Sequence, residues 1–106
     1  NDAEDAVYTP EKRPEFPGGV QALFKFLSSN LKYPSDAKKE GIQGRMICQF
    51  VVDKDGSVTD IKVLRSVYPS LDREVVRVIS IMPKWEPGVQ LGKKVKCKFT
   101  LPIVFK

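Results

Sequence analysis

The side chains that most often perform chemistry are scarce in this chain. Histidine is absent, which removes the commonest general base and the commonest metal ligand. Two cysteines, Cys48 and Cys97, are too few and too far apart for a zinc site. No serine, cysteine or pair of carboxylates stands in a recognisable nucleophile or acid–base setting, so an enzyme is not expected. Asp53-Lys54-Asp55-Gly56 has the opening of a calcium loop. Counting Asp53 as its first residue, however, puts Leu64 where the bidentate glutamate belongs, so neither a metal nor another cofactor is expected. What remains is a run near the C-terminus in which Lys94, Lys96, Lys98 and Thr100 alternate with Val95, Cys97, Phe99 and Leu101, followed by Pro102. The chemistry such a run offers is that of an extended backbone edged with positive charge.

The elements that must position this run follow from the hydrophobic pattern. The chain has 106 residues, 42% hydrophobic and 29% charged, which bounds it to one soluble globular domain with a single modest core. No apolar run approaches the ~20 residues that a transmembrane helix requires, and no signal peptide is visible. The chain starts without a methionine and reads as an excised or processed piece. Residues 1–17, with Pro10, Pro14 and Pro17 among mixed charges, read as a linker or extended lead-in that does not pack, and residues 18–106 read as the domain. The net charge of +5 is uneven. Five acids fall in residues 1–15, leaving residues 16–106 with 16 basic and 8 acidic side chains. A basic domain suits nucleic acid, a membrane surface or an acidic partner, or is simply a solvated surface. The lysines are not interleaved with surface aromatics, so nucleic acid is not expected.

Val20, Leu23, Phe24, Leu27 and Leu31 recur at helical spacing, and Tyr33-Pro34 ends that helix. Pro34 then opens a helix of about two turns over residues 34–40, with Gly41 as its stop. Residues 44–53 alternate as a strand, with Met46, Cys48, Phe50 and Val52 on one face. Asp53-Lys54-Asp55-Gly56 turns the chain, and residues 58–64 return with a bulge near Thr59-Asp60. A third helix carries Leu71, Val75, Val78, Ile79 and Met82, with Ser70 as its expected N-cap and Pro83 as its stop. Residues 83–92 read as a turn-rich crossing. A last strand puts Val95, Cys97, Phe99, Leu101, Ile103 and Phe105 on one face.

The order α-α-β-β-α-β predicts an α+β fold: a three-stranded antiparallel sheet with helices packed on one face. Pro102 favours an edge for the last strand, which gives the order second-first-third. Lysines along that strand fit an edge kept from indiscriminate pairing, or only a wet sheet face. Cys48 and Cys97 fall on the inward face of neighbouring strands. A cross-strand disulfide and two buried thiols both remain open at this point.

Six pieces in order carry a resemblance: Tyr33-Pro34-x-x-Ala37; Gly41-Ile42-x-Gly44; Phe50-Val51-Val52-x-x-x-Gly56-x-Val58; Val63-Leu64-x-Ser66; Met82-Pro83-x-Trp85-x-Pro87-Gly88; and Leu101-Pro102-Ile103-x-Phe105. Over residues 14–106 the chain resembles the TonB C-terminal domain family, and most of all its bacteroidete-type variants, which share the Pro14-Glu15-Phe16-Pro17-Gly18-Gly19 lead-in. The resemblance implies a periplasmic domain of an energy transducer, tethered to the inner membrane by an N-terminal helix that this chain lacks. Its partners would be an inner-membrane proton-driven motor complex, reached through that missing part, and outer-membrane transporters, gripped by their TonB box. By the same resemblance, the TonB box docks by strand addition on Lys94 to Leu101 (Lys94, Lys96, Lys98, Thr100 and Leu101) and beside Asn30, Leu31, Lys32, Tyr33 and Pro34. The residues before Tyr33 depart from the glutamine-rich version of better-known members. An alternative keeps the fold as the periplasmic binding module of a membrane-anchored sensor or peptidase. An exposed edge also allows a strand-swapped homodimer.

Overall fold

The computed structural model describes residues 10–106. Three helices, α1 (Val20–Asn30), α2 (Ser35–Lys39) and α3 (Pro69–Ser80), accompany five strands: β1 (Gly44–Val52), β2 (Val58–Arg65), β3 (Gly88–Gln90), β4 (Lys93–Val95) and β5 (Cys97–Phe105). The main sheet is antiparallel with the order β2-β1-β5, the arrangement predicted from Pro102. Strand β1 is central. Its Met46, Cys48, Phe50 and Val52 are fully buried, as the alternation requires, and they share one core with Leu23, Leu27, Leu71, Val75, Val78, Ile79 and the inward side chains of β5. All three helices therefore contribute to a single layer on one face of the sheet.

Helix α3 begins one residue before Ser70, with Tyr68 as N-cap and Pro69 in the first turn. Proline has no N–H to leave unsatisfied and is preset for that position, so it displaces Ser70 from the expected capping role. Helix α2 starts at Ser35 with Pro34 outside it, and Gly41 ends it at φ 67, a left-handed stop that glycine adopts without penalty. On α1 the buried stripe is rotated from the expected one. Leu23 and Leu27 face the core and Ala22 and Phe26 pack against it, while Val20 and Phe24 are exposed. All six of residues 20–27 other than Gln21 and Lys25 are apolar; a helix that is apolar on most sides does not announce which face is buried.

Strand β2 is irregular. Between Gln49 and Val51 its partners step from Lys62 to Thr59, so Asp60 and Ile61 together face Phe50. This is the expected bulge, and Asp60 takes φ 51 within it. A second register shift, between Ile47 and Cys48, leaves Leu64 without an opposite residue. The β1–β2 turn is held by Gly56 at φ 88, whose carbonyl accepts the Trp85 N–H at 2.8 Å. A side chain at Gly56 would stand 2.0 Å from the Trp85 carbonyl oxygen, so both the turn and the close approach demand glycine.

The last strand is shorter than expected. Residues 88–95 form a separate hairpin, with Gly88 opposite Val95, Val89 opposite Lys94 and Gln90 opposite Lys93. The edge strand itself starts at Cys97. The segment read as an unpacked lead-in packs from Pro10 onward. Lys12 and Val89 exchange backbone hydrogen bonds, as do Glu15 and Glu86, and Phe16 enters the core against Phe26 and Trp85. Residues 1–9 of that lead-in lie outside the described residues. Among the described residues no helix is long and apolar enough to cross a membrane.

Candidate functional site

Among the described residues, β5 ends the main sheet on the side opposite β2. It pairs with β1 over nine consecutive residues, from Gly44 opposite Phe105 to Val52 opposite Cys97, with no register shift. Cys97, Leu101, Ile103 and Phe105 are buried, whereas Thr100, Pro102 and Val104 are exposed. Pro102 stands opposite Ile47 within this ladder. A proline fits there with its ring nitrogen on the solvent side of the strand. Backbone groups alternate in direction along a strand, so Lys98, Thr100 and Val104 share that outward set.

The Tyr33 segment lies at the far end of the same edge. The Tyr33 ring meets Phe105 edge-on, with centroids 5.8 Å apart and planes at 86°. Leu31 and Tyr33 line a cleft of about 260 Å³ with Ile103, Val104 and Phe105. Both faces of β5 contribute to its walls and β1 does not, so the cleft opens on the side of the strand away from β1.

A clamp from α3 holds this segment in place. Glu74 accepts the Lys32 backbone N–H at 2.7 Å and both Arg77 nitrogens at 2.8 Å, and Arg77 also donates to the Asn30 carbonyl at 3.0 Å. The Arg77 hydrogen bonds, joined by that of Lys32, hold the Glu74 carboxyl below the usual glutamate range against the opposing cost of burial. The Asn30 side chain turns back to donate to the Phe26 carbonyl at 2.8 Å.

The sequence-predicted site residues therefore divide. Leu31 and Tyr33, with Pro34 beside them, meet the C-terminal end of β5, and Lys98, Thr100 and Leu101 lie along the strand. Asn30 and Lys32 are engaged in the clamp through backbone atoms, while the Asn30 side chain bonds back to α1 at the Phe26 carbonyl. Lys94 sits on β4 opposite Val89, and Lys96 lies between β4 and β5. Sequence reasoning missed Ile103, Val104 and Phe105 as part of the site. The available signal was Val104, an apolar side chain, 57% exposed, on the face otherwise occupied by Lys98, Thr100 and Pro102.

Other candidate chemistry is used structurally. Cys48 stands opposite Leu101 and Cys97 opposite Val52. The thiols are thus offset by four residues, roughly 13 Å along the strands, which is beyond disulfide reach. Both are free and fully buried. Burial pushes the Cys48 thiol up to about 11 and raises that of Cys97 as well. In the calcium-like turn, Asp53 accepts the Lys54 N–H at 2.6 Å and Asp55 accepts the Ser57 N–H at 2.9 Å, so both carboxylates brace the turn. Trp85 is 4% exposed and stacks edge-on among Phe16, Phe50 and Phe99, the position of a structural anchor.

The family model for the Gram-negative bacterial TonB protein C-terminal region matches residues 29–106. The chain belongs to this family. Protein TonB of Pseudomonas aeruginosa is 44% identical over 78 residues, which cover 70% of this chain and 22% of that protein. Protein TonB of Helicobacter pylori is 39% identical over 64 residues, covering 60% of this chain and 22% of that protein. The chain thus spans about a fifth of these relatives' length. The fold agrees as well. A solution structure of the Helicobacter pylori TonB C-terminal domain superposes with a TM-score of 0.61 at 26% identity, covering 82% of this chain and 91% of that one. That of Pseudomonas aeruginosa gives 0.58 at 38% identity, covering 71% of this chain and 76% of that one.

Proposed function

We propose that this chain is the periplasmic, partner-binding domain of a TonB energy transducer and that it catalyses nothing. It takes the TonB box of an outer-membrane transporter as an added strand on β5 and passes to it energy derived from the proton-motive force for substrate uptake. An N-terminal inner-membrane helix tethers the whole protein, and the proton-driven motor complex acts through that part. The observation that supports the reading is the regular, nine-residue register of β5 at the end of the sheet order, with the Tyr33 ring against its Phe105. An exposed strand edge gives a peptide partner backbone hydrogen bonds, and side-chain pockets beside it supply selectivity. Lys98, Thr100 and Leu101 form the body of the docking strand, and Leu31, Tyr33 and Pro34 form its far wall. Asn30 and Lys32 position that wall, and Lys94 and Lys96 border the near end. A second copy of the chain, added as a swapped strand, would compete for the same edge.

Titration of isotope-labelled protein with N-terminal transporter segments that contain the TonB box tests this reading. Amide shifts should concentrate in residues 97–105 and 30–34. Shifts confined to β2, or none at all, would overturn it.

A further inference from the structure

We propose that the corner between α2 and the C-terminal end of β5 is a binding site for an acidic peptide segment, one that sets a carboxylate beside a large apolar side chain. Such a site needs neither strand addition nor the outward backbone of β5, so it goes beyond the reading above. The corner holds two adjoining clefts. The apolar one is the cleft of Leu31, Tyr33, Ile103, Val104 and Phe105. The other, of about 450 Å³, is lined by Tyr33, Lys38, Gly41, Gln43 and Lys106. Tyr33 and Lys106 line both, so one short segment reaches the two together.

Two lysines and no acid line the larger cleft. The acids nearest to Lys38 in sequence are Asp36 and Glu40, each two residues away, and helical residues two apart do not face one another. The backbone donors of this corner are already used. The Gly41 N–H donates to the Lys38 carbonyl at 3.1 Å and that of Ile42 to the Ala37 carbonyl at 2.9 Å, which closes α2. What remains are the Tyr33 hydroxyl, the Gln43 amide and the amines of Lys38 and Lys106. Among the described residues none of these four groups has a hydrogen-bond or ion-pair partner. Four donors without an acceptor, two of them cationic, suit a carboxylate, which only accepts.

The wall that the clefts share is set before any ligand arrives. Tyr33 follows Lys32, whose N–H Glu74 holds at 2.7 Å, and its ring rests edge-on against Phe105. A side chain already in place loses little freedom on binding. The apolar cleft, about 260 Å³, takes one large side chain and is too small for an acyl chain. Its cationic neighbour takes one charged group. A single apolar side chain next to a single anion is the pattern of a peptide rather than of a lipid. The surplus of 16 basic over 8 acidic side chains in residues 16–106 draws an acidic segment toward the corner.

The test is an amide-shift titration of the isotope-labelled full chain, a readout suited to weak binding. The probes are glycine–serine peptides that carry one phenylalanine within two residues of one glutamate. The amides of Tyr33, Gln43 and Lys106 should shift. Replacing the glutamate with glutamine should weaken binding about fivefold, the most that one exposed ion pair supplies. Lys38→Gln and Lys106→Gln, both at exposed positions, should each narrow the preference for glutamate, and the double variant should abolish it. If the two peptides bind the unaltered chain equally, or the double variant keeps the preference, the inference fails. Displacement of the peptide by equimolar inorganic phosphate, or by vesicles of anionic lipid, would overturn the assigned occupant. Strand addition fails on a different reading, the silence of residues 97–101 toward a TonB-box segment, and those residues lie outside this corner.

Discussion

The sheet has two edges, and they are built differently. Strand β2 is interrupted twice, by the bulge at Asp60-Ile61 and by the extra residue Leu64. Asp60 holds a left-handed backbone there, at φ 51, and α3 packs beside the strand. Strand β5 keeps one register for nine residues and has a single proline. Bulges twist an edge out of the geometry that another chain needs, whereas a flat, regular edge invites pairing. One fold thus breaks the geometry of one edge and keeps that of the other regular.

The comparison can be broken at its shared support, strand β1. Phe50 is fully buried there and touches Trp85 and Phe99. Phe50→Ala should cost about 3–5 kcal/mol, measured by urea unfolding, and should loosen both edges together. A loss under about 1 kcal/mol would show that β1 does not carry them. The closed edge can be probed at Asp60. A β-branched residue is poorly tolerated at positive φ, so Asp60→Val should destabilise the chain by about 1–2 kcal/mol. The same variant should leave binding at β5 unchanged.

The smallest effect is the acid sensitivity of the wall beside β5. Glu74 is held below its ordinary value near 4.5, so its contribution to stability is present above that value. It is lost as pH falls through the lowered one. The urea midpoint should drop between pH 6 and pH 3, and Glu74→Gln should show a smaller drop because it lacks the titrating group. Equal drops would mean that the clamp does not couple to folding.

Much of this was legible in the sequence, for physical reasons that also explain the misses. Strand β1 alternates from Met46 to Phe50 because the face of Met46, Cys48 and Phe50 meets the helices, and only at Val51 is the other face buried as well. Pro102 announced the edge because a missing N–H has few places to go. The β3–β4 hairpin stayed hidden because its strands are three residues each, within a run dense in proline and glycine. The alternation of Lys94, Lys96 and Lys98 continues in phase across the break at Lys96 and so masks it. The burial of Phe16 was invisible because prolines around a lone aromatic look like a linker until the rest of the fold supplies Phe26 and Trp85. At the candidate docking edge, Tyr33 stood out in the sequence through its proline. Ile103 to Phe105, which the structure sets beside it, read only as core because they are alternating apolar residues.

The most direct measurement of the central claim is the affinity of a TonB-box peptide for Thr100→Pro. Position 100 shares its backbone direction with Pro102, so the substitution removes an outward N–H and spares the ladder to β1. The account predicts at least about tenfold weaker binding, with an amide spectrum that otherwise remains that of the folded chain. Unchanged affinity in a folded Thr100→Pro protein would contradict docking on β5.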